Sequence, residues 1–228
     1  MNAEPRLYLK QIEVGPMQNY AYLVGDRETR EAIIVDAAWD VDGLVQIAEQ
    51  DDMKITAGLV THFHPDHLGG SMMGMEITGA AELVAKLPVK IHLHKSEAPF
   101  AARVSGLSSS DLVLTEGGDD LTVGEIPIKF LHTPGHTPGS QCFLVGGNLV
   151  SGDTLFIGSC GRVDLPGSSP EDLWRSLTGT LKILPPETIL YPGHNYSDRT
   201  TSTIGDEAKR NPYMQFAKLD EFLNVMGY

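Results

Sequence analysis

The stretch Ile55-Thr56-Ala57-Gly58-Leu59-Val60-Thr61-His62-Phe63-His64-Pro65-Asp66-His67-Leu68-Gly69-Gly70 runs from an apolar segment into three histidines and an aspartate packed within six positions. The apolar part reads as a strand, and the part from Thr61 to Gly70 as a metal-binding loop at its end. Neutral imidazole and carboxylate suit a divalent ion of the zinc, iron or manganese kind, whereas calcium or magnesium would take oxygen ligands. A solvated histidine-rich loop accounts for one or two such side chains but poorly for four so closely spaced.

Upstream, Leu7–Val14, Asn19–Val24 and Glu31–Val35 read as a strand meander that ends in Asp36. Asp40 is placed to cap a helix whose apolar stripe is Val41, Leu44, Val45, Ile47 and Ala48. Downstream, Ser71–Lys86 reads as mainly helical, and Pro88 stops it. Lys90–His94 alternates as a strand that sets His92 and His94 on one face, where packing or surface histidines are commoner than ligands. The serine-rich Ser96–Thr115 carries little signal and is expected to be a loop bordering the substrate.

Short strands follow at Leu121–Val123, Ile126–Leu131, Gln141–Val145 and Asn148–Ser151. Between them, Thr133-Pro134-Gly135-His136-Thr137-Pro138-Gly139-Ser140 is a turn that presents one histidine, and Ser151-Gly152-Asp153 puts an aspartate at a strand end. Ser168 or Ser169 caps a helix with Pro170 in its first turn and Leu173, Trp174, Leu177 and Leu181 on its buried face. Strand Thr188–Tyr191 runs into Pro192-Gly193-His194, and the tail from Gly205 reads as helix broken at Asn211-Pro212 and resumed over Tyr213–Val225.

A chain of 228 residues suits one large α/β domain, 1–228, better than two small ones. With 30 acidic against 17 basic residues the formal charge is −13, which repels a phosphate backbone and argues against nucleic acid as partner. The start, Met1-Asn2-Ala3-Glu4-Pro5-Arg6, has no leader pattern and no run nears the ~20 apolar residues of a membrane span, so a cytoplasmic protein with no membrane partner is expected. Cys142 and Cys160 are too few for a disulfide framework.

The candidate ligands are His62, His64, Asp66, His67, His136, Asp153 and His194, each just beyond an expected strand. Seven exceed what one ion takes, so two adjacent ions are the economical solution. In this order they resemble the metallo-β-lactamase superfamily over nearly the whole chain. The resemblance implies an αββα sandwich with metals at one edge between the sheets. It gives the first metal His62, His64 and His136, the second Asp66, His67 and His194, makes Asp153 the bridge, and marks Asp66 as catalytic as well as ligating. Superfamily members with cysteine at the position of Asp153 are zinc β-lactamases of certain classes, so the aspartate argues against that role. His132 is expected near the site, in support.

Ser151–Phe156, Gly158–Asp164 and Tyr191–Tyr196 resemble the glyoxalase II branch, the hydroxyacylglutathione hydrolases. That implies a thioester hydrolase working through a bridging hydroxide on two divalent ions, zinc before iron or manganese, on a small-molecule substrate such as a glutathione thioester. Arg162 and Tyr196 match substrate-binding positions there, although Arg162 could equally pair with Asp164. Only about thirty residues follow His194, nearer the short single-domain members. The alternative is a persulfide dioxygenase with one iron on His62, His136 and Asp153. Lactonase or β-lactamase side activity, and a non-catalytic metal-binding protein, rank below both.

Overall fold

The computed structural model describes residues 5–228; the opening Met1–Glu4 of the leader reading lies outside the described residues. Strands β1 (Leu7–Val14), β2 (Asn19–Asp26) and β3 (Glu31–Val35) form the expected antiparallel meander. Helix α1 (Val41–Gln50) starts where Asp40 accepts from the Gly43 N–H at 2.9 Å, and returns the chain to β4 (Lys54–Leu59), parallel to β3. A short helix α2 (Pro65–Leu68) follows directly, so Asp66 and His67 project from a helical turn.

The helix expected over Ser71–Lys86 is corrected: β5 (Gly70–Met72) and β6 (Met75–Ile77) form a hairpin, and α3 begins only at Ala80 and ends at Lys86. The two-residue turn is the reason, since Met73 and Gly74 both take positive φ, 51° and 80°, as a tight hairpin of this hand requires. The loop expected over Ser96–Thr115 is also corrected. It holds α4 (Ala98–Ser105) and strand β8 (Leu112–Thr115), which pairs parallel to β7 (Ile91–His94).

The second sheet comprises β9 (Asp120–Val123), β10 (Ile126–His132), β11 (Gln141–Val145) and β12 (Asn148–Gly152), with the small hairpin β13 (Leu155–Phe156) and β14 (Ser159–Cys160) beyond. Ser169 caps α5 (Pro170–Arg175) by accepting from Asp172 N–H at 3.1 Å, and the helix runs on over 176–181 with wider, π-type turns. Strand β15 (Ile189–Pro192) joins β12 in parallel, β16 (Ser202–Thr203) lies at the edge, and α6 (Ile204–Arg210) and α7 (Leu219–Met226) close the chain. The tail breaks at Asn211-Pro212 as expected, but its last helix resumes at Leu219 rather than Tyr213.

Strand alternation decides how the sheets stack. On β2 and β3, Tyr20, Tyr22, Val24, Ile33 and Val35 face Ile128, Phe130, Phe143 and Val150 of the other sheet in one buried cluster. The intervening Ala21, Leu23, Ala32 and Ile34 face the outer side, under Leu44 and Leu83 of α1 and α3. Across the molecule Cys142, Leu149 and Leu190 pack beneath Leu173, Leu177, Ile204 and Phe222. Every residue of β2 is buried, as a strand covered on both faces must be. The result is a four-layer αββα sandwich with the apolar face of each helix supplying an outer cover. Among the described residues no helix is long and apolar enough to cross a membrane.

Candidate metal centre

Strands β4, β12 and β15 end on the same edge of the sandwich, and the turn after β10 arrives there too. The Thr61 carbonyl accepts from Gln141 N–H at 2.9 Å, tying the loop of the first sheet to the second, and Gly193 N–H donates to Gly152 O at 2.9 Å. Gly193 is there for space: a Cβ at this position would strike the Asp153 carboxylate and Gly152 backbone. All seven predicted ligand residues are brought together. Three clusters, His62–His64–His136, Asp66–His67–His194 and His62–His67–Asp153, each hold their ligand atoms within 4.8 Å of one another.

Four of the five imidazoles are fixed by what their Nδ1 atoms touch. His67 Nδ1 lies 2.9 Å from Asp36 Oδ2, His136 Nδ1 2.8 Å from Arg162 O, and His194 Nδ1 3.0 Å from Met17 O. His62 Nδ1 lies 3.0 Å from Thr61 Oγ1, whose proton goes to Asp36 Oδ2 at 2.7 Å. Each Nδ1 therefore donates, and each Nε2 points inward, where it can present a lone pair to a cation. His67 and His194 face each other Nε2 to Nε2 at 3.2 Å, and His136 Nε2 faces His64 Nδ1 at 3.0 Å. Lone pairs converging in this way call for a cation between them.

A direct test of fit is whether buried polar atoms are left over. His62 Nε2 and Asp153 Oδ1 are buried and make no hydrogen bond, although Asp153 Oδ1 comes within 3.3 Å of His67 Nε2. Each orphan would cost about 1–3 kcal/mol if it stayed so, and a shared divalent ion satisfies both. The residues fit the group.

The electrostatics agree. Burial pushes His62 well below the ordinary imidazole range, helped by His67 and His64. Burial, with His136 adding, takes His64 down to about 4, so this cluster offers neutral imidazoles. Burial works against the charge of Asp153, but His67 and His194 hold its carboxyl well below the usual range. Asp66 is held down likewise, burial opposing and His67 and the hydrogen bonds of His194 and Asn19 prevailing. The reverse holds at His67 and His194, where burial is overcome by Asp153 and Asp66: His67 is raised well above the ordinary imidazole range and His194 to about 9, so these rings take up positive charge that a bound cation would replace. The paired carboxylates draw positive charge to this point.

Three positioning residues went unassigned in the sequence. Buried Asp36 accepts from Thr61 N–H and Oγ1–H, both at 2.7 Å, as well as from His67. Buried Asn19 donates through Nδ2 to Asp66 Oδ2 at 2.9 Å, while its Oδ1 accepts from Trp39 Nε1 at 3.1 Å. Glu97 accepts from Phe63 N–H through one oxygen and Gly139 N–H through the other, both at 2.6 Å, and so clamps the two ligand loops together. The signal for Asp36 was its place at a strand end beside the loop strand; Asn19 and Glu97 had none.

The remaining candidates separate. His94 stacks on His132 at 3.9 Å, His92 meets Phe130 edge-on at 6.5 Å, and none of the three joins a ligand cluster among the described residues. His132 Nε2 lies 3.0 Å from Pro138 O, supporting the turn that carries His136. Tyr196 stacks flat on His194 at 4.6 Å, and burial, then Asp153 and Asp66, raise its phenol to about 12. Arg162 reaches the same cleft, of about 690 Å³, but its guanidinium is gripped by Asp164 at 2.6 and 2.7 Å. A groove of similar size, about 660 Å³ beside Arg30, Glu49 and Lys54, contains none of the ligands.

Residues 14–194 match the Metallo-beta-lactamase superfamily, and the chain belongs to it. The family's fold together with these His and Asp clusters indicates use of divalent metal. The chain is 31% identical over 206 residues to the "Probable polyketide biosynthesis zinc-dependent hydrolase BaeB" of Bacillus velezensis, covering 90% of this chain and 86% of that one. It is 29% identical over 211 residues to the human mitochondrial persulfide dioxygenase ETHE1, covering 91% and 76%. Among solved structures it is similar to TTHA1623 in a di-iron-bound form, with a TM-score of 0.72 and 35% identity over 90% of this chain and 99% of that one.

Proposed function

We propose that the chain is a two-metal hydrolase cleaving thioesters of the hydroxyacylglutathione type. His62, His64 and His136 would hold one ion, Asp66, His67 and His194 the other, with Asp153 between them. The observation that carries this reading is that both clusters are complete and meet at a buried carboxylate whose Oδ1 makes no hydrogen bond. The likeness to a di-iron form and to a zinc-dependent hydrolase supports it.

When bound, two adjacent divalent ions lower the pKa of water toward neutrality and polarise a carbonyl oxygen. The chain's residues supply the rest. Asp36 and Thr61 keep His67 and His62 in the tautomer that ligates. Asp66 faces the cleft and is held ionised; its carboxylate, fixed by Asn19 at Oδ2 (2.9 Å), would ligate an ion and accept a hydrogen bond that orients the attacking water. Tyr196 keeps its phenol proton near neutral pH and offers it to substrate. Arg162 contributes its carbonyl to His136, its guanidinium being engaged by Asp164. A thiolate leaves without help from a strong acid, which suits a cleft where none is placed.

A persulfide dioxygenase with one iron on His62, His136 and Asp153 is the second reading, favoured by the 29% identity to the human enzyme. The two are separated on one preparation, purified without added metal, by assaying hydrolysis of S-D-lactoylglutathione and oxygen uptake with glutathione persulfide. Hydrolysis without oxygen uptake is expected; oxygen uptake without hydrolysis would overturn the proposal.

A further inference from the structure

The wall facing the metal centre is built from two segments whose structure the sequence did not reveal, the β5–β6 hairpin and α4. They are packed as one unit: Gly70, with φ of 124°, lies so close beneath α4 that any Cβ there would meet the Val104 carbonyl. From the hairpin, Met72 and Met73 line the cleft, and from α4, Phe100 and Arg103. Phe100 stacks flat on Phe63, rings 4.6 Å apart and 17° from parallel, and Phe63 sits between the ligands His62 and His64. The guanidinium of Arg103 lies over the other end of this ladder, 5.1 Å from the Phe100 ring, and its Nε donates to Pro99 O at 3.0 Å.

Two arginines reach this cleft, and they differ in what is left to them. Arg162 is saturated by a bidentate pair with Asp164. Arg103 has no carboxylate within ion-pair distance among the described residues, and its remaining N–H donors are unspent. In a chain of net charge −13, an oriented and unpaired guanidinium at the mouth of an apolar-walled cleft is a specific feature.

We propose that Arg103 is the specificity-determining residue of this cleft, and that it selects substrates with an apolar chain or ring lying on Phe63, Phe100, Met72 and Met73 and one anionic group beyond it. The inference rests on the reading above only for the bond that is cleaved; the recognition belongs to the cleft itself. Among the described residues the cleft offers this single free cation, so one anionic group of a thioester substrate is met there and any further charges stay in solvent.

The test is calorimetric binding of 4-phenylbutane-1-sulfonate and of the neutral 4-phenylbutyl methyl sulfone to the metal-loaded protein, wild type, Arg103→Ala and Arg103→Lys. Sulfonate is a poor metal ligand, so its preference reports the arginine. Wild type is expected to favour the sulfonate about tenfold, as one charge-assisted pair gives. Arg103→Ala should abolish that preference and Arg103→Lys restore part of it. A preference that survives in Arg103→Ala would overturn the proposal. Because the readout is binding, it stands whether or not S-D-lactoylglutathione is hydrolysed; absence of that turnover would count against the thioesterase reading alone.

Discussion

The cleft has a floor and a wall, and they are made differently. The floor is the seven proposed ligand residues, at strand ends and in the α2 turn, all but His64 and Asp153 fixed by a donor or acceptor named above, with Asp36 and Asn19 enclosed behind them. The wall is a short hairpin and a short helix carrying exposed side chains, with Met73 92% exposed. A floor of this kind tolerates little change, because the orientation of most of these side chains depends on a partner behind them. A wall of flexible methionines and stacked rings can be remodelled without disturbing the chemistry beneath it. In this molecule the reaction class resides in the floor and the choice of substrate in the wall.

The contrast can be broken most decisively at the floor. Replacing His194 by Ala removes a ligand of one cluster only, and should lower kcat for thioester hydrolysis on the order of 10²-fold or more while leaving one metal bound; steady-state kinetics and metal analysis check both. Asp36→Asn keeps the shape but presents an amide to Thr61 and His67, and metal affinity should fall about 10–100-fold in a competition titration with a chelator. Activity should return at high metal concentration, which a misfolded variant would not allow.

Glu97 sharpens the comparison, since it belongs to neither floor nor wall but clamps the loops that join them. Burial raises its carboxyl to about 7, against the pull of the Phe63 and Gly139 N–H groups and Thr137. Its folded value lies above the unfolded one, so the folded state holds the proton longer and this contribution to stability is complete below about pH 4.5 and lost as pH rises through about 7. Glu97→Gln cannot titrate and turns an amide N–H₂ toward a backbone N–H. In urea unfolding of the metal-loaded protein, the wild-type advantage over this variant should shrink by roughly 2 kcal/mol between pH 5 and pH 8. The smallest effect belongs to the wall: Met73→Ala should change stability by less than about 0.5 kcal/mol and leave turnover of a small hydrophilic thioester unaltered.

The same contrast explains what could be read in advance. Short-range patterning on β2, β3, β10 and β11, and caps at Asp40 and Ser169, act over a few residues, so these strands and helices were legible, while the sandwich they build was implied by the family resemblance. The ligands were legible because four of them share one loop and the rest follow strand ends. Their partners were not, since Asp36 reaches Thr61 across 25 residues, Asn19 reaches Asp66 across 47, and Glu97 reaches Gly139 across 42. The wall was misread for a different reason. Met72 to Met75 suits a helix by composition, but the turn at Met73-Gly74 and the close seat of Gly70 on α4 force a hairpin. Arg103 could not be told from any surface arginine until Phe100 was seen beneath it.

The central claim is that both ligand clusters work together, and metal titration of the stripped protein tests it most directly. Native mass spectrometry would count ions per chain while thioester hydrolysis is followed in the same samples. Activity that climbs until two ions are bound per chain is the predicted result; full activity at one ion, unchanged by the second, would contradict it.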